Sequence, residues 1–87
     1  MEEFLKSLGI NGNFTMDKGQ LIMDIKDSNA YGTIFSKLEN SDEIEQEDNA
    51  SNVTLESSSI QFSNDIYLIT LIGDFEADTY KLVMREI

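Results

Sequence analysis

Apolar positions follow two rhythms along the chain, and the changes between them mark its elements. From Glu2 to Leu8, Phe4, Leu5 and Leu8 share one side, acids fill the opening turn and Gly9 follows as a stop, which predicts a short two-turn helix. The period then falls to two. GNFTM and QLIMDIK flank Asp17-Lys18-Gly19-Gln20, and Lys18-Gly19 suits the centre of a tight hairpin turn. Pairing Asp17 with Gln20 sets Met16 opposite Leu21, Phe14 opposite Met23 and Gly12 opposite Ile25, so the large residues share a face. Beyond the hairpin, Asp27-Ser28 offers an N-cap, and Tyr31, Ile34, Phe35 and Leu38 recur at helical spacing, which predicts an amphipathic helix lying on a sheet. Gly32 either weakens that helix by roughly 1 kcal/mol relative to Ala or lets something pack close.

Period two returns at Val53, in VTLE, SIQF, IYLITLI and TYKLVMREI. Val53 and Leu55 are odd-numbered whereas Ile60 and Phe62 are even, so the run Ser57-Ser58-Ser59 is expected to hold a bulge or break. Asn64-Asp65 suits a two-residue turn pairing Phe62 with Tyr67 and Ile60 with Ile69. Asp74 to Ala77 suits a loop pairing Gly73 with Asp78, Leu71 with Tyr80, Ile69 with Leu82 and Tyr67 with Met84. The core face of this meander is Ile60, Phe62, Tyr67, Ile69, Leu71, Tyr80, Leu82 and Met84. Its other face carries Ile66, Leu68, Ile72 and Val83, to be covered by the amino-terminal helix or by a second copy in a homodimer. Between these systems ENSDEIEQEDNASN holds one branched apolar residue, Ile44, and reads as a mobile acidic loop at about 39–52. The expected fold is therefore one α+β domain, residues 1–87, with an antiparallel sheet made of a β-hairpin and a three-stranded meander. One short and one amphipathic helix complete the order α-β-β-α-β-β-β.

Composition narrows the chemistry. A chain of 87 residues buries about 60–65% of its unfolded surface, too little for a large enclosed active site. Lys and Arg number 6 against 17 Asp and Glu, with no His, for a net charge of -11, so nucleic acid is a poor direct partner. Without Cys or His there is no disulfide, thiolate, imidazole base or zinc site built on nitrogen or sulfur. Asp24 falls opposite Leu21, Met23 and Ile25 and reads as solvated, which leaves no pair of carboxylates set for glycoside chemistry. No catalytic residues, metal site or cofactor are expected, and the chain reads as a non-enzyme. MEEFLKSLGI begins with acids where a signal peptide needs bases, and no apolar run approaches the ~18 residues of a membrane span. A cytoplasmic location without membrane contact is expected, and the Asn-x-Ser/Thr triplets at Asn13, Asn49 and Asn52 then have no glycosylation role.

Glu39, Asp42, Glu43, Glu45, Glu47 and Asp48 follow one another with no base between them. In an antiparallel meander the strand after this loop starts beside the end of the middle strand, so Asp74, Glu76 and Asp78 are expected at the same end, joined by Glu56 if it points outward. Weak Ca²⁺ binding is one alternative use, although the run lacks the glycine and distal Glu of a calcium loop. A dense carboxylate array is better suited to the Lys and Arg groove of a nucleic-acid-binding protein, which neutralises roughly one charge per 1.7 Å of duplex. Phe75 at the loop tip would add an apolar anchor, or fold back onto Tyr80 or Leu71.

The run ENSDEIEQED with Asp74, Glu76 and Asp78, set in a small acidic α+β chain without catalytic residues, resembles small phage-encoded inhibitors of the anti-CRISPR, DNA-mimic type. The resemblance lies in size and composition across the chain, without a shared motif, so no residue role is carried over from it. It implies a protein-binding inhibitor from a phage or mobile element, in the cytoplasm of a bacterial host, that blocks a basic nucleic-acid enzyme such as a Cas nuclease. The competing expectation is an accessory or structural homo-oligomer, paired through Ile66, Leu68, Ile72 and Val83, whose acids serve solubility.

Overall fold

A computed structural model describes residues 1–87, the side chain of Ala50 excepted. The first helix, α1, is Glu2–Ser7, with a Lys6–Glu2 ion pair of 3.1 Å on its surface. Gly9, at φ 80°, turns the chain out of it, and the Lys37 ammonium donates a hydrogen bond to the Gly9 carbonyl. Strands β1 (Phe14–Asp17) and β2 (Gln20–Ile25) form the hairpin in the expected register, Asp17 with Gln20, Met16 with Leu21 and Phe14 with Met23. Lys18 and Gly19 both have positive φ, 51° and 80°, which is the mirror-image turn that matches strand twist. Gly12 lies ahead of β1 rather than paired with Ile25.

Helix α2, Ser28–Glu39, starts at an extended Asp27 whose carboxylate accepts the Ala30 N–H at 2.8 Å. It buries Tyr31, Ile34 and Leu38, with Phe35 half-buried beside Phe62. Next come the short strand β3 (Glu45–Gln46), one 3₁₀ turn (Asp48–Ala50) and the short strand β4 (Asn52–Val53). Strands β5 (Ser57–Ser63), β6 (Tyr67–Asp74) and β7 (Thr79–Glu86) form the meander. The expected α-β-β-α-β-β-β order is present, with β3 and β4 added to it.

All strands join one antiparallel sheet in the order β1-β2-β7-β6-β5-β3, with β4 also on β5. The hairpin and meander meet where β2 pairs with β7, Leu21 with Met84 through Ile25 with Tyr80. Both helices lie on one face, where Leu5, Leu38, Phe62, Ile69, Leu71, Leu82 and Met84 are fully buried. The expected meander face is thus the core, with Tyr67 half-buried against the Phe4 ring at 5.0 Å.

Two registers differ from expectation by two residues. Phe62 pairs with Ile69 and Ile60 with Leu71, because the β5–β6 turn is centred on Asp65-Ile66 and not on Asn64-Asp65. The Asn64 side chain accepts the N–H groups of Ile66 and Tyr67 at 2.8 and 2.7 Å, which holds Asn64 at the strand end. Likewise Leu71 pairs with Leu82 and Ile69 with Met84, because Asp74 ends β6 with its carboxylate accepting the N–H groups of Glu76 and Ala77. The four-residue loop is therefore Phe75 to Asp78, and Asp78 takes the left-handed conformation at φ 55°. The phase break also moves: Ser57–Ser63 is one strand, and the chain reverses earlier, at residues 54–56, between β4 and β5. The Thr54 hydroxyl oxygen accepts the N–H groups of Glu56 and Ser57 to close that turn. Nor does α1 cover the outer face of the sheet, because its apolar side joins the core with α2.

Candidate functional site

The acidic segment acquires its place from one apolar residue. Ile44 is buried in the core, and on either side of it the polar chain lies along the edge of β5. Glu45 and Gln46 pair with Ser63 and Phe62, and the Glu47 N–H donates to the Gln61 carbonyl at 2.8 Å. The Ser51 hydroxyl donates to the Glu47 carbonyl and accepts the Gln61 N–H, while Asn52 and Val53 pair with Ser59 and Ser58. Residues 44–53 thus form a strap antiparallel to β5, where the sequence reads only a loop.

This path divides the expected acidic cluster. Asp42, Glu43, Glu45 and Glu47 line an open cleft of about 370 Å³ with Ile44, Ser63, Asn64 and Asp65, at the β5–β6 turn. Within it the Ser63 hydroxyl donates to the Glu47 carboxylate at 2.6 Å and the Asn64 amide to the Glu43 carbonyl at 3.2 Å. Asp74, Glu76 and Asp78 lie at the opposite end of the sheet, where Asp74 pairs with Ser57. Six residue steps of β5 separate Ser57 from Ser63, about 20 Å of strand. The single gathering inferred from meander topology is therefore two groups at opposite ends of β5, because the strap starts beside the far end of that strand. Asp48 sits in the 3₁₀ turn between them, and Glu39 closes α2. Every one of these carboxylates is exposed.

The second group reaches beyond Asp74, Glu76 and Asp78. Phe75 donates its N–H to the Glu56 carbonyl at 2.9 Å, so the β4–β5 and β6–β7 turns adjoin and add the exposed Glu56 to the group. Leu55, 98% exposed, stands next to Glu56 at the first of these turns. Phe75 folds back, its ring 6.1 Å from Tyr80 and edge-on to Tyr31 at 6.2 Å, yet it keeps 40% of its surface exposed. The period-two pattern places Leu55 with Val53 in a strand, VTLE, but β4 ends at Val53 and Leu55 lies in the turn that follows, so its exposure gave no signal of its own.

Tyr80 is the group whose ionisation this end of the molecule alters. Desolvation raises its phenol above the ordinary value of 10.0, and a hydrogen bond to Asp78 with the charges of Asp78, Asp27 and Asp74 pushes the same way. On the outer face, Leu68, Ile72 and Val83 are half-buried without a helix over them, joined by Ile22, which pairs directly with Val83. Ile66 is exposed in the β5–β6 turn. Among the described residues, no group of three or more carboxylates is arranged to hold a metal ion, and no helix is long and apolar enough to cross a membrane.

Comparisons of the chain with protein-family models, with curated proteins and with solved structures find no match.

Proposed function

We propose that this chain is a non-enzymatic protein-binding inhibitor, encoded by a phage or mobile element, whose acidic edge occupies the basic nucleic-acid groove of a target enzyme. A Cas nuclease is the first target class to test. The observation that carries the reading is the pair of adjoining turns at residues 54–56 and 75–78, which present Leu55 and Phe75 among Glu56, Asp74, Glu76 and Asp78. An exposed apolar anchor ringed by charge is the arrangement of an interface hot spot rather than of a surface that serves solubility alone. The cleft group of Asp42, Glu43, Glu45 and Glu47 extends the acidic track about 20 Å along β5, and a nucleic-acid groove is likewise a linear array of opposite charge.

Tagged protein incubated with bacterial lysate at low salt is expected to retain one basic nucleic-acid enzyme, released as salt rises and displaced by duplex DNA. Leu55→Asp with Phe75→Ala, or charge reversal at Glu43, Glu45 and Glu47, is expected to abolish retention while leaving the circular dichroism unchanged. A retained partner indifferent to both salt and DNA overturns the reading.

A second reading is favoured by the outer face that neither helix covers: an accessory module that works as a homo-oligomer. In that case Leu68→Asp breaks self-association and function together, and the acidic substitutions leave both intact.

A further inference from the structure

The two edges of the sheet are treated differently. Along β5 the strap supplies β3 and β4, so that edge is occupied, whereas among the described residues no strand lies beyond β1. Bare edges are ordinarily blunted by Lys, Pro, a bulge or a covering loop, since their free N–H and C=O groups accept any extended chain. Phe14-Thr15-Met16 has no charge and no proline, and it pairs with β2 residue for residue. The Lys18-Gly19 turn makes Asp17 and Gln20 a hydrogen-bonded pair, and alternation makes Thr15 and Ile22 the next. The main-chain groups of Phe14 and Met16 therefore point outward along the open edge.

We propose that this edge pairs with the same edge of a second copy, β1 antiparallel to β1 about a twofold axis at Thr15, making one continuous sheet. The strand is self-complementary in that register. Phe14 meets Met16 of the second copy, and the reverse, in two hydrogen-bonded pairs that use all the outward groups. Thr15 meets Thr15 at the axis, where cross-strand side chains come closest and a Thr–Thr pair is favourable. Asp17 meets Asn13, not another acid. On the core side each Met16 thioether lies on a Phe14 ring, and Met16 is 59% exposed in the single chain.

Charge selects the same edge. A second copy brings another net -11, so it approaches best where acids are fewest. The strap and its carboxylates lie at the far side of the sheet, five strand spacings or about 24 Å from β1. The outer face, on which the homo-oligomer reading above rests, is a poorer seat, so the β1 edge is an alternative to it. Lys81 pairs with Ile72 and Arg85 with Leu68, so a sheet stacked there would cover basic side chains along with the apolar ones. The pairing does not rest on the inhibitor reading, and salt separates the two: screening strengthens contact between like-charged copies and weakens contact with a basic target.

Sedimentation equilibrium of the full chain over a wide concentration range, at low and high salt, is expected to show a monomer–dimer equilibrium that tightens with salt. Met16→Pro removes an outward donor and leaves the bonds of Thr15 and Asp17 to β2, so it should weaken the dimer at least about tenfold with unchanged circular dichroism. The chain has no cysteine, which makes single-cysteine variants unambiguous. Thr15→Cys places its α-carbon about 4.5 Å from its symmetry mate, within disulfide reach, and should form a covalent dimer on mild oxidation, whereas Leu68→Cys should not. A chain that stays monomeric throughout, a dimer untouched by Met16→Pro, or cross-linking at Leu68→Cys as ready as at Thr15→Cys overturns the proposal.

Discussion

Tyr31 reaches from α2 to β5, where its hydroxyl shares a hydrogen bond with Ser58, a buried polar side chain on an otherwise apolar face. Its ring lies 5.3 Å from Tyr80, and Gly73 makes that approach possible, since a Cβ there would come within 3.2 Å of both rings. Removing the phenol oxygen strands the Ser58 hydroxyl without water, so Tyr31→Phe is expected to lower stability by about 1–2 kcal/mol in urea titration. Gly32 has the opposite character, because a methyl group at that position meets open space in mid-helix. Gly32→Ala should raise stability by up to about 1 kcal/mol in the same assay. Tyr80 makes the neighbourhood sensitive to alkali. Its phenol is raised by desolvation and by Asp78, Asp27 and Asp74, so the folded state holds the proton more tightly than the unfolded chain. The stability this contributes is complete below about pH 10 and is lost as pH rises through the folded value. Asp78→Asn should bring the ionisation of one of the three tyrosines back toward its ordinary value in an absorbance titration and shift the alkaline loss of stability.

Local chemistry made some elements legible and left others silent. The turn and register of the first hairpin, from Asp17–Gln20 to Phe14–Met23, could be read because a turn that needs two left-handed positions accepts Lys18-Gly19 and little else nearby, although the pairing stops short of Gly12. In the meander both turns start one residue later than the sequence suggests, because Asn64 and Asp74 serve better as side-chain acceptors at the strand ends than as turn centres. A one-residue shift of a turn moves the register by two, which preserves the inward face, so the core of Ile60, Phe62, Ile69, Leu71, Leu82 and Met84 was legible even though its pairs were not. The strap was not legible, since two-residue strands have no period and their pairing with β5 is decided across the chain. Ile44 is the one residue there whose isolation among acids marked it. Ile44→Ala is expected to release the strap, with hydrogen-exchange protection lost first at the amides of Glu45 to Val53 and a stability cost of about 2–4 kcal/mol.

At the scale of the whole molecule, the division of the acids changes what charge substitutions should do. Had the carboxylates formed one gathering, reversing some would alter the field at all the others. They instead form a cleft group of Asp42, Glu43, Glu45 and Glu47 and a turn group of Glu56, Asp74, Glu76 and Asp78, about 20 Å apart along β5. That distance is about twice the screening length at physiological ionic strength, so each group acts on a bound partner nearly alone. Glu43→Lys with Glu45→Lys in the first group, and Glu56→Lys with Glu76→Lys in the second, should each weaken association with a basic target. Combined, their effects should add to within about 0.5 kcal/mol, as for separated sites without shared partners. Asp74 is left out because its carboxylate holds the turn amides of Glu76 and Ala77. Titration calorimetry of the four proteins against the retained target provides the cycle. Additivity fits a target that meets the edge as an extended track, one basic cluster for each acidic group. A coupling well above that bound means that both groups converge on one basic centre, in which case the edge bends on binding and the strap, held to the core by Ile44, is the element that moves.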